Sequence, residues 1–412
     1  MNILMLGRWL PPPRRPVRGT REYQFARHLA RRHKLTLAFI ADNPDAAGAI
    51  TALRGEFGDL EFASIPRGWK SLASAVRLVS GESCTLSYFR SEALRTRLAD
   101  RLRRTRYDLV FVSSSSMIQY ALDVSPTIPM VVDFGEVDSQ WWVRQAARGS
   151  FPATRFFQTE AARLRAAEGT AARRATLCLA ETREAAGIVQ ALGPGAPIGL
   201  IPTGVDVEGP GPVQSADQAP TVVLSVSLSG ATELKDARDF YRAVIATARK
   251  RVPAARFLIA SRDPIPGARA GRDPFGVEVM APTDIRSLYH GHAVAIAPQH
   301  AGFELRASVL EPMAAGIPVI TTQTVCDQLG AQAGRDLRVA ATALDFEREL
   351  VELLENSSLR GEAGAQGRVF AQANYSWEAL TVRLDQLLAE VVRAAGDPTT
   401  TKPRPIAAIL GG

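Results

Sequence analysis

The sequence predicts an α/β protein built from two doubly wound, parallel-sheet (Rossmann-like) domains in tandem. Short β-branched runs alternate with amphipathic stretches of helical period along most of the 412 residues. The alternation stops in a Pro/Gly-rich segment at 207–220 and then restarts. Such alternation is typical of parallel strands joined by helices that cover both faces of a sheet, and this length suits two domains.

The elements follow from the local pattern. Strands of the first domain are predicted where short apolar runs occur, at 2–7, 34–41, 107–115, 128–135 and 176–182. Helices are predicted where apolar residues recur every three or four positions, at 21–33, 91–106 and 154–175. The second domain has predicted strands at 221–227, 255–261, 276–282, 292–299 and 318–322, and predicted helices at 237–251, 284–291, 308–316, 344–356 and 377–395.

These elements define the domain boundaries. The N-terminal domain is predicted at 1–206, a linker at 207–220 and the C-terminal domain at 221–375. A closing helix at 376–395 is expected to return to the N-terminal domain, and residues 396–412 are expected to form a disordered tail. Such sheets bind ligands at the carboxyl ends of their strands, so two domains facing each other predict a binding cleft.

Composition narrows the class of protein. The net charge is +7, and the excess of Arg indicates anionic partners such as phosphates or lipid headgroups. Three scattered cysteines without metal-ligand spacing favour a reduced, cytoplasmic protein. No stretch approaches the ~18 apolar residues of a membrane span, and no basic-aromatic face indicates nucleic-acid binding. The Arg-rich helices at 21–33 and 91–106 are either solvated faces or peripheral contacts with an anionic membrane.

One stretch concentrates the chemistry: residues 302–321 read GFELRASVLEPMAAGIPVIT. A helix is predicted to begin near Ala307 or Ser308, and its free N–H groups together with Arg306 would attract an anion. Because this helix is apolar on almost all sides, Glu311 is expected to be buried and to need a partner or ligand. A carboxylate one turn behind a phosphate site can accept hydrogen bonds from ribose hydroxyls; the alternative is a solvated helix residue.

This stretch resembles the donor-site motif of the family-4 retaining glycosyltransferases, which have the two-domain GT-B fold. IPTGVDVE at 201–208 and NYSWEAL at 374–380 are similar to two further segments of that family, in the same order. Residues 131–142 and 156–185 resemble one subgroup, the sugar transferases associated with exopolysaccharide and exosortase gene systems. The resemblance extends over about residues 1–390.

The resemblance implies an enzyme of the hexosyltransferase type. It would move a sugar from a nucleotide-diphosphate sugar to the hydroxyl of a saccharide, lipid-linked or small-molecule acceptor, with retention and without a metal or other cofactor. The family pattern implies the donor-binding residues Gly19, Lys235, Leu305, Arg306, Ala307, Ser308 and Glu311. His300 is added to them because it lies at the mouth of the expected cleft. The catalytic set would be Glu304, Arg306 and Lys235.

The sequence departs from the family pattern at one important position. The first Glu of the family motif corresponds to Phe303, and Glu304 lies one residue away. Either a small loop adjustment lets Glu304 contact the donor sugar, or the donor-sugar contacts are altered. Two alternatives therefore stay open: a GT-B enzyme of another reaction, such as an epimerase or a pseudo-glycosyl transferase, and a degenerate glycosyltransferase that acts as a partner protein.

Acceptor-side candidates follow the predicted strand at 128–135. Asp133, Glu136 and Asp138 are expected at its carboxyl end, where they could orient acceptor hydroxyls or cap the next helix. Trp141 could stack on a sugar, touch a lipid acceptor or pack in the core. The expected location is the cytoplasm, with or without a peripheral contact at the inner membrane face.

Overall fold

The computed structural model describes the chain at residues 1–8, 21–41, 47–64, 81–124, 126–207, 219–225, 231–261, 271–272, 276–280, 288–289, 293–298 and 305–396. These residues form two compact units. The first unit comprises Met1–Pro202 and residues 380–396, and the second comprises Thr203–Ala379.

The first unit is organised around a seven-stranded sheet. Its strands are β1 (Asn2–Gly7), β2 (Lys34–Ala41), β3 (Asp59–Ser64), β4 (Leu109–Ser113), β5 (Met130–Gly135), β6 (Leu177–Ala180) and β7 (Ile198–Leu200). All pairs are parallel, in the order β3-β2-β1-β4-β5-β6-β7. The strand order reverses between β1 and β4, so the carboxyl ends of these strands form the topological switch point where such sheets bind ligands.

Helices cover this sheet. They are α1 (Arg21–Arg32), α2 (Ala47–Phe57), α3 (Cys84–Tyr88), α4 (Glu92–Arg104), α5 (Ile118–Ala121), α6 (Asp138–Arg148), α7 (Ala153–Arg174) and α8 (Arg183–Leu192). Polar N-cap residues fix where several of these helices begin. The side chain of Ser91 accepts a hydrogen bond from the N–H of Leu94 at the start of α4, and that of Thr182 accepts one from the N–H of Ala185 at the start of α8. The central strands are almost wholly buried because helices lie on both faces.

The second unit repeats the plan. Its strands are β8 (Thr221–Ser225), β9 (Arg256–Ala260), β10 (Gly271–Arg272), β11 (Val277–Val279), β12 (Ala293–Ala297), β13 (Val319–Thr321) and β14 (Arg338–Val339). The order is β10-β11-β9-β8-β12-β13-β14, and β10 alone runs antiparallel to its neighbour. The helices are α9 (Ala231–Ile245), α10 (Ala248–Arg251), α11 (Glu311–Ala314), α12 (Gln323–Leu329), α13 (Ala343–Glu355) and α14 (Ser357–Tyr375). The prediction of two doubly wound parallel sheets is confirmed.

The last described helix, α15 (Trp377–Gly396), begins in the second unit and continues in the first. Its Asp385 carboxylate lies 3.0 Å from Nε2 of His28 and 3.2 Å from Nε2 of His33, and it accepts a hydrogen bond from Arg32. Leu384 is fully buried. Residues 380–396 are thus a structural part of the first unit. Among the described residues, none of the helices combines the length and the hydrophobicity of a membrane-spanning segment.

The sequence pattern does not predict several of the observed helices and strands. The polar edge strands β3 and β14, the short β7 and the helices α2, α8 and α14 were not expected, and the predicted helix at 237–251 is divided between α9 and α10. In α14, glycines lower helix propensity, but Gly364 is required: a Cβ there would lie 2.1 Å from the carbonyl oxygen of Gly316. The predicted helix at 284–291, the linker and the tail lie largely outside the described residues.

Candidate functional site

The stretch with the donor-site motif follows β12 and packs at the carboxyl edge of the second sheet. The chain is helical from Leu305, with a π-helical turn at Arg306–Leu310 that continues into α11. The chain is thus already helical before the predicted start at Ala307 or Ser308, and in a wider form. Pro312 has no N–H to donate to the preceding turn, and a widened turn accommodates that missing hydrogen bond. Such π-turns are frequent at functional sites.

Glu311 is the first residue of α11 and is only 7% exposed. Leu310 before it and Met313 after it belong to the hydrophobic core of this unit. The burial expected from the apolar helix is therefore observed. A carboxylate shielded from bulk water makes stronger hydrogen bonds than one in solvent, which suits the recognition of hydroxyl groups. Its contact with a donor ribose stays a prediction.

Ser308 ties the π-helical turn to the sheet. The residue is 2% exposed, and its Oγ donates a hydrogen bond of 3.1 Å to the carbonyl of Ser225, the last residue of β8. The Ser225 hydroxyl lies 2.9 Å from the hydroxyl of Tyr289. These contacts fix the backbone of the turn relative to the carboxyl end of β8, next to the switch point between β8 and β12.

The other predicted donor residues are described unevenly. Leu305 is half-buried at the start of the helix, and Arg306 and Ala307 contribute backbone to the π-helical turn. Lys235 lies on α9 with its side chain 77% exposed, and its Nζ is 4.0 Å from the Asp239 carboxylate. Three candidates lie outside the described residues: Gly19, His300 and Glu304.

In the first unit, Asp133 near the end of β5 is buried, and both of its oxygens accept hydrogen bonds from Arg21. The distances are 2.8 Å from Nε to Oδ2 and 2.9 Å from Nη2 to Oδ1. Arg21 also donates to the carbonyls of Ile201 and Pro202. This bidentate pair anchors the start of α1 on the sheet, so Asp133 has a structural partner in addition to the acceptor role predicted for it.

The three remaining acceptor-side candidates, Glu136, Asp138 and Trp141, line one cavity of about 530 Å³ in the first unit. We call it the aromatic cavity. The described residues that line it are Arg8, Cys84, Thr85, Tyr88, Phe89, Glu136, Val137, Asp138, Trp141, Trp142 and Arg144. The Trp141 and Trp142 rings meet edge to face at 4.7 Å, and the Tyr88 and Phe89 rings at 4.8 Å. The volume is within the range of small-molecule sites, about 300–1,000 Å³.

Charged groups in the aromatic cavity are matched in pairs. Arg8 lies 3.6 Å from Asp138, and Arg144 lies 3.4 Å from Glu136. Among the described residues, the walls therefore carry two positive and two negative groups. The indole N–H of Trp142 donates to the hydroxyl of Thr85 at 3.2 Å.

The loops beside this cavity hold strained backbone. Ser114 and Val137 have φ values of 82° and 66°, and they are the non-glycine residues with positive φ in the described chain. A β-branched residue rarely adopts that region, and such strain persists only when the surroundings enforce it.

Two carboxylates enforce the strained conformation. Asp138 accepts from the Ser114 hydroxyl at 3.0 Å and from the Ser115 N–H at 3.1 Å. Glu168, fully buried on α7, accepts from the Ser115 hydroxyl at 2.7 Å and from the Ser139 N–H at 3.0 Å. Burial raises the pKa of Glu168. Together the two acids connect the loops that follow β4 and β5.

Glu22, in the first turn of α1, contributes a further acid at this edge. Its Oε1 occupies the place of a side chain at Gly7, where a Cβ would lie 2.1 Å from it. Burial raises the pKa of Glu22 to about 8, opposed by the positive charge and backbone N–H of Arg8 and assisted by Asp133 and Asp138. Within the described part of the chain, Oε1 is buried without a hydrogen-bond partner. Glu22 is therefore largely protonated at neutral pH.

Sequence reasoning did not identify Glu22, Glu168, Tyr88 or Phe89. Glu22 and Glu168 stand in helices rich in Arg and Glu, where an acid is usually solvated. The available signal was the glycine at the end of β1, which indicates a close approach by another group. Among the described residues, no group of three or more His, Cys, Asp or Glu side chains is arranged to hold a metal ion.

Comparison with known proteins gives one family match. Residues 220–356 match the family model described as Glycosyl transferases group 1. That segment is about a third of the chain and contains most of the second unit, including Lys235, the π-helical turn and Glu311. No curated protein matches the sequence.

Solved structures with the same fold cover nearly the whole chain. Sucrose-phosphate synthase from Thermosynechococcus elongatus matches with a TM-score of 0.57 at 15% identity, over 96% of this chain and 100% of that one. The HepE protein of Anabaena in complex with UDP matches with a TM-score of 0.58 at 13% identity, over 95% and 100%. A glycosyltransferase from Rickettsia africae matches with a TM-score of 0.53 at 11% identity, over 95% and 98%. At these identities the similarity shows the fold, which is the predicted GT-B fold.

Proposed function

We propose that this protein is a glycosyltransferase that moves a sugar from a nucleotide-diphosphate sugar to an acceptor hydroxyl with retention of configuration. One observation carries the proposal: the segment that matches the group 1 glycosyl transferases contains a buried acid, Glu311, at the ligand-binding edge of its sheet. Structures of the same fold include HepE in complex with UDP and with UDP and glucose, which supports a nucleoside diphosphate as the leaving group.

The donor would bind at the π-helical turn. In this proposal Glu311 accepts hydrogen bonds from the ribose hydroxyls, and the backbone from Leu305 to Ser308 holds the diphosphate at the start of the helix. Arg306 and Lys235 add positive charge there. Lys235 is exposed and only loosely paired with Asp239, and such surface pairs contribute little, so its ammonium group is available to a ligand. Gly19, His300 and Glu304 complete the proposed donor contacts.

The chemistry depends on electrostatic stabilisation. The bond between the anomeric carbon and the donor phosphate oxygen breaks, and the acceptor oxygen forms a bond to that carbon on the same face. The acceptor proton passes to the leaving phosphate oxygen. Negative charge that develops on the diphosphate is stabilised by Arg306, Lys235 and backbone N–H groups that are already oriented. The proposal includes no metal or other cofactor, and the sequence contains no Asp-x-Asp motif.

We further propose the finer assignment indicated by the sequence: a family-4, hexosyltransferase-type enzyme of the exopolysaccharide and exosortase-associated subgroup. It would act in the cytoplasm on polysaccharide, glycolipid or natural-product acceptors. Peripheral contact with the inner membrane face would not use Arg95 or Arg101 of α4, because both face acids: Arg95 lies 2.7 Å from Asp123, and Arg101 contacts Asp59 and Glu61.

Thermal stabilisation by nucleotide sugars tests the proposal. UDP-, GDP-, ADP- and dTDP-sugars are compared for the wild type, for Glu311→Gln and for the control Glu362→Gln, whose acid is exposed on α14. We expect nucleotide sugars of one class to raise the unfolding temperature of the wild type and of the control. The rise should be much smaller for Glu311→Gln.

Slow hydrolysis of the bound donor would then identify transfer chemistry, and it is measured as the release of free nucleoside diphosphate. No stabilisation by any of the four classes would contradict the proposal and favour a degenerate partner protein. Binding with conversion to an isomeric nucleotide sugar would instead identify an epimerase.

A further inference from the structure

We propose that the aromatic cavity of the first unit binds a neutral saccharide, so that the acceptor presents a sugar ring to this protein. The inference rests on the proposed function and specifies its acceptor class. It is argued from the walls of the cavity, which combine four aromatic residues with two carboxylates and two arginines.

The aromatic walls fit the apolar face of a sugar ring. Trp141 is 49% exposed and lines the cavity, and its ring is supported edge to face by Trp142. The Trp142 ring is held in turn by Phe156 and Phe157 at 5.8 Å and by its hydrogen bond to Thr85. Rigid aromatic rings of this kind give contact area at low entropic cost.

The charged walls fit the hydroxyl groups of the same ring. Glu136 and Asp138 are strong acceptors, Arg8 and Arg144 are strong donors, and hydrogen bonds to charged groups are the strong ones. A lipid chain or an unsubstituted aromatic compound would cover these groups without hydrogen-bonding to them, which is unfavourable. A saccharide offers an apolar face and several hydroxyl groups at once.

Charge balance argues against an anionic ligand. The Arg8–Asp138 and Arg144–Glu136 pairs balance the charge of the walls that the described residues form. A phosphate or a uronic acid that binds either arginine would bring its negative charge close to Asp138 or Glu136, and like charges repel. A neutral sugar can bind beside the existing pairs without that repulsion. The strained loop at Val137 places Glu136 and Asp138 on a backbone fixed by hydrogen bonds to Asp138 and Glu168, which favours a preorganised site.

Tryptophan fluorescence tests the inference without any nucleotide. The full-length protein is titrated with maltose, cellobiose, lactose, gentiobiose, chitobiose and mannobiose, and separately with inorganic pyrophosphate and with vesicles of phosphatidylglycerol. We expect at least one disaccharide to shift the emission saturably at millimolar concentrations. Trp141→Ala should weaken that binding by about tenfold, as expected for the loss of one stacking contact, when binding is read by calorimetry.

Two further variants make the test specific. Glu136→Gln keeps the shape of an exposed side chain and should also weaken binding. Phe151→Ala is the matched control, because Phe151 is 79% exposed in the turn between α6 and α7 and does not line the cavity. It should bind like the wild type.

Three results would overturn the inference: no response to any disaccharide, an equal loss in Phe151→Ala, or a response to pyrophosphate or vesicles in place of sugars. Nucleotide-dependent stabilisation through Glu311 is measured on the other unit. If that effect is present and the saccharide response is absent, the proposed function stands and only the acceptor class is wrong.

Discussion

Replacing Glu22 by Gln should make the protein more stable at alkaline pH and leave its stability almost unchanged at pH 5. The folded protein holds the pKa of Glu22 at about 8, raised from 4.5 mainly by burial. The folded state therefore retains a proton that the unfolded chain releases above pH 4.5. The stability of the wild type falls as pH rises from the unfolded pKa towards the folded one, and the loss is complete above pH 8.

The magnitude follows from the size of the pKa change. Each pKa unit corresponds to about 1.4 kcal/mol, so the full change from 4.5 to about 8 costs the wild type up to ~5 kcal/mol. Gln has nearly the same shape and no charge at any pH. The free energy of unfolding of Glu22→Gln minus that of the wild type should therefore increase by several kcal/mol between pH 5 and pH 9.

Urea unfolding followed by circular dichroism at pH 5, 6, 7, 8 and 9 measures this difference. All other titrating groups are common to both proteins and largely cancel. The matched control is Glu184→Gln, which removes an exposed acid in the first turn of α8 and should give a flat difference. A flat difference for Glu22→Gln as well, or one that falls with pH, would refute the argument that this acid is neutral in the folded protein.

Two further changes should lower stability by different routes, each measured by urea unfolding. Arg21→Gln removes the partner of the buried Asp133 and should lower the free energy of unfolding by about 3–5 kcal/mol, because an unpaired charge stays in the core. The double variant with Asp133→Asn as well should recover part of that loss. Equal stability of the single and the double variant would contradict the pairing argument. Gly364→Ala should cost about 1–3 kcal/mol or more, since the new methyl group meets the carbonyl of Gly316. Gly187→Ala, in α8 with nothing within 4 Å of its added Cβ, should instead raise stability by up to about 1 kcal/mol.

The sequence predicts the regular part of the fold well because buried parallel strands are almost continuous apolar runs. β1 and β2 coincide with the predicted 2–7 and 34–41. The helices and strands that the sequence does not predict are those whose stability comes from contacts with residues distant in the sequence. β3 is half-buried at a sheet edge, and α14 contains glycines that only close packing explains.

The candidate site is predictable to a similar extent. The sequence predicts the burial of Glu311 because its neighbours in the chain are apolar, and it predicts that Glu136, Asp138 and Trp141 lie together because they follow one strand. Glu22 could not be recognised from its own helix, because its burial depends on its approach to Gly7. Its pKa also depends on charges that are distant in the sequence, such as those of Asp133 and Asp138. Contacts of that kind leave no periodic trace in a sequence.

The return of α15 to the first unit sets the order in which the two units are completed during synthesis. The second unit is continuous from Thr203 to Ala379, whereas the first includes residues 380–396. The ribosome therefore releases every part of the later unit before the earlier one is complete. Until Asp385 emerges and reaches His28 and His33, the nascent first unit lacks a helix, and a truncation placed before residue 380 would leave it permanently unfinished.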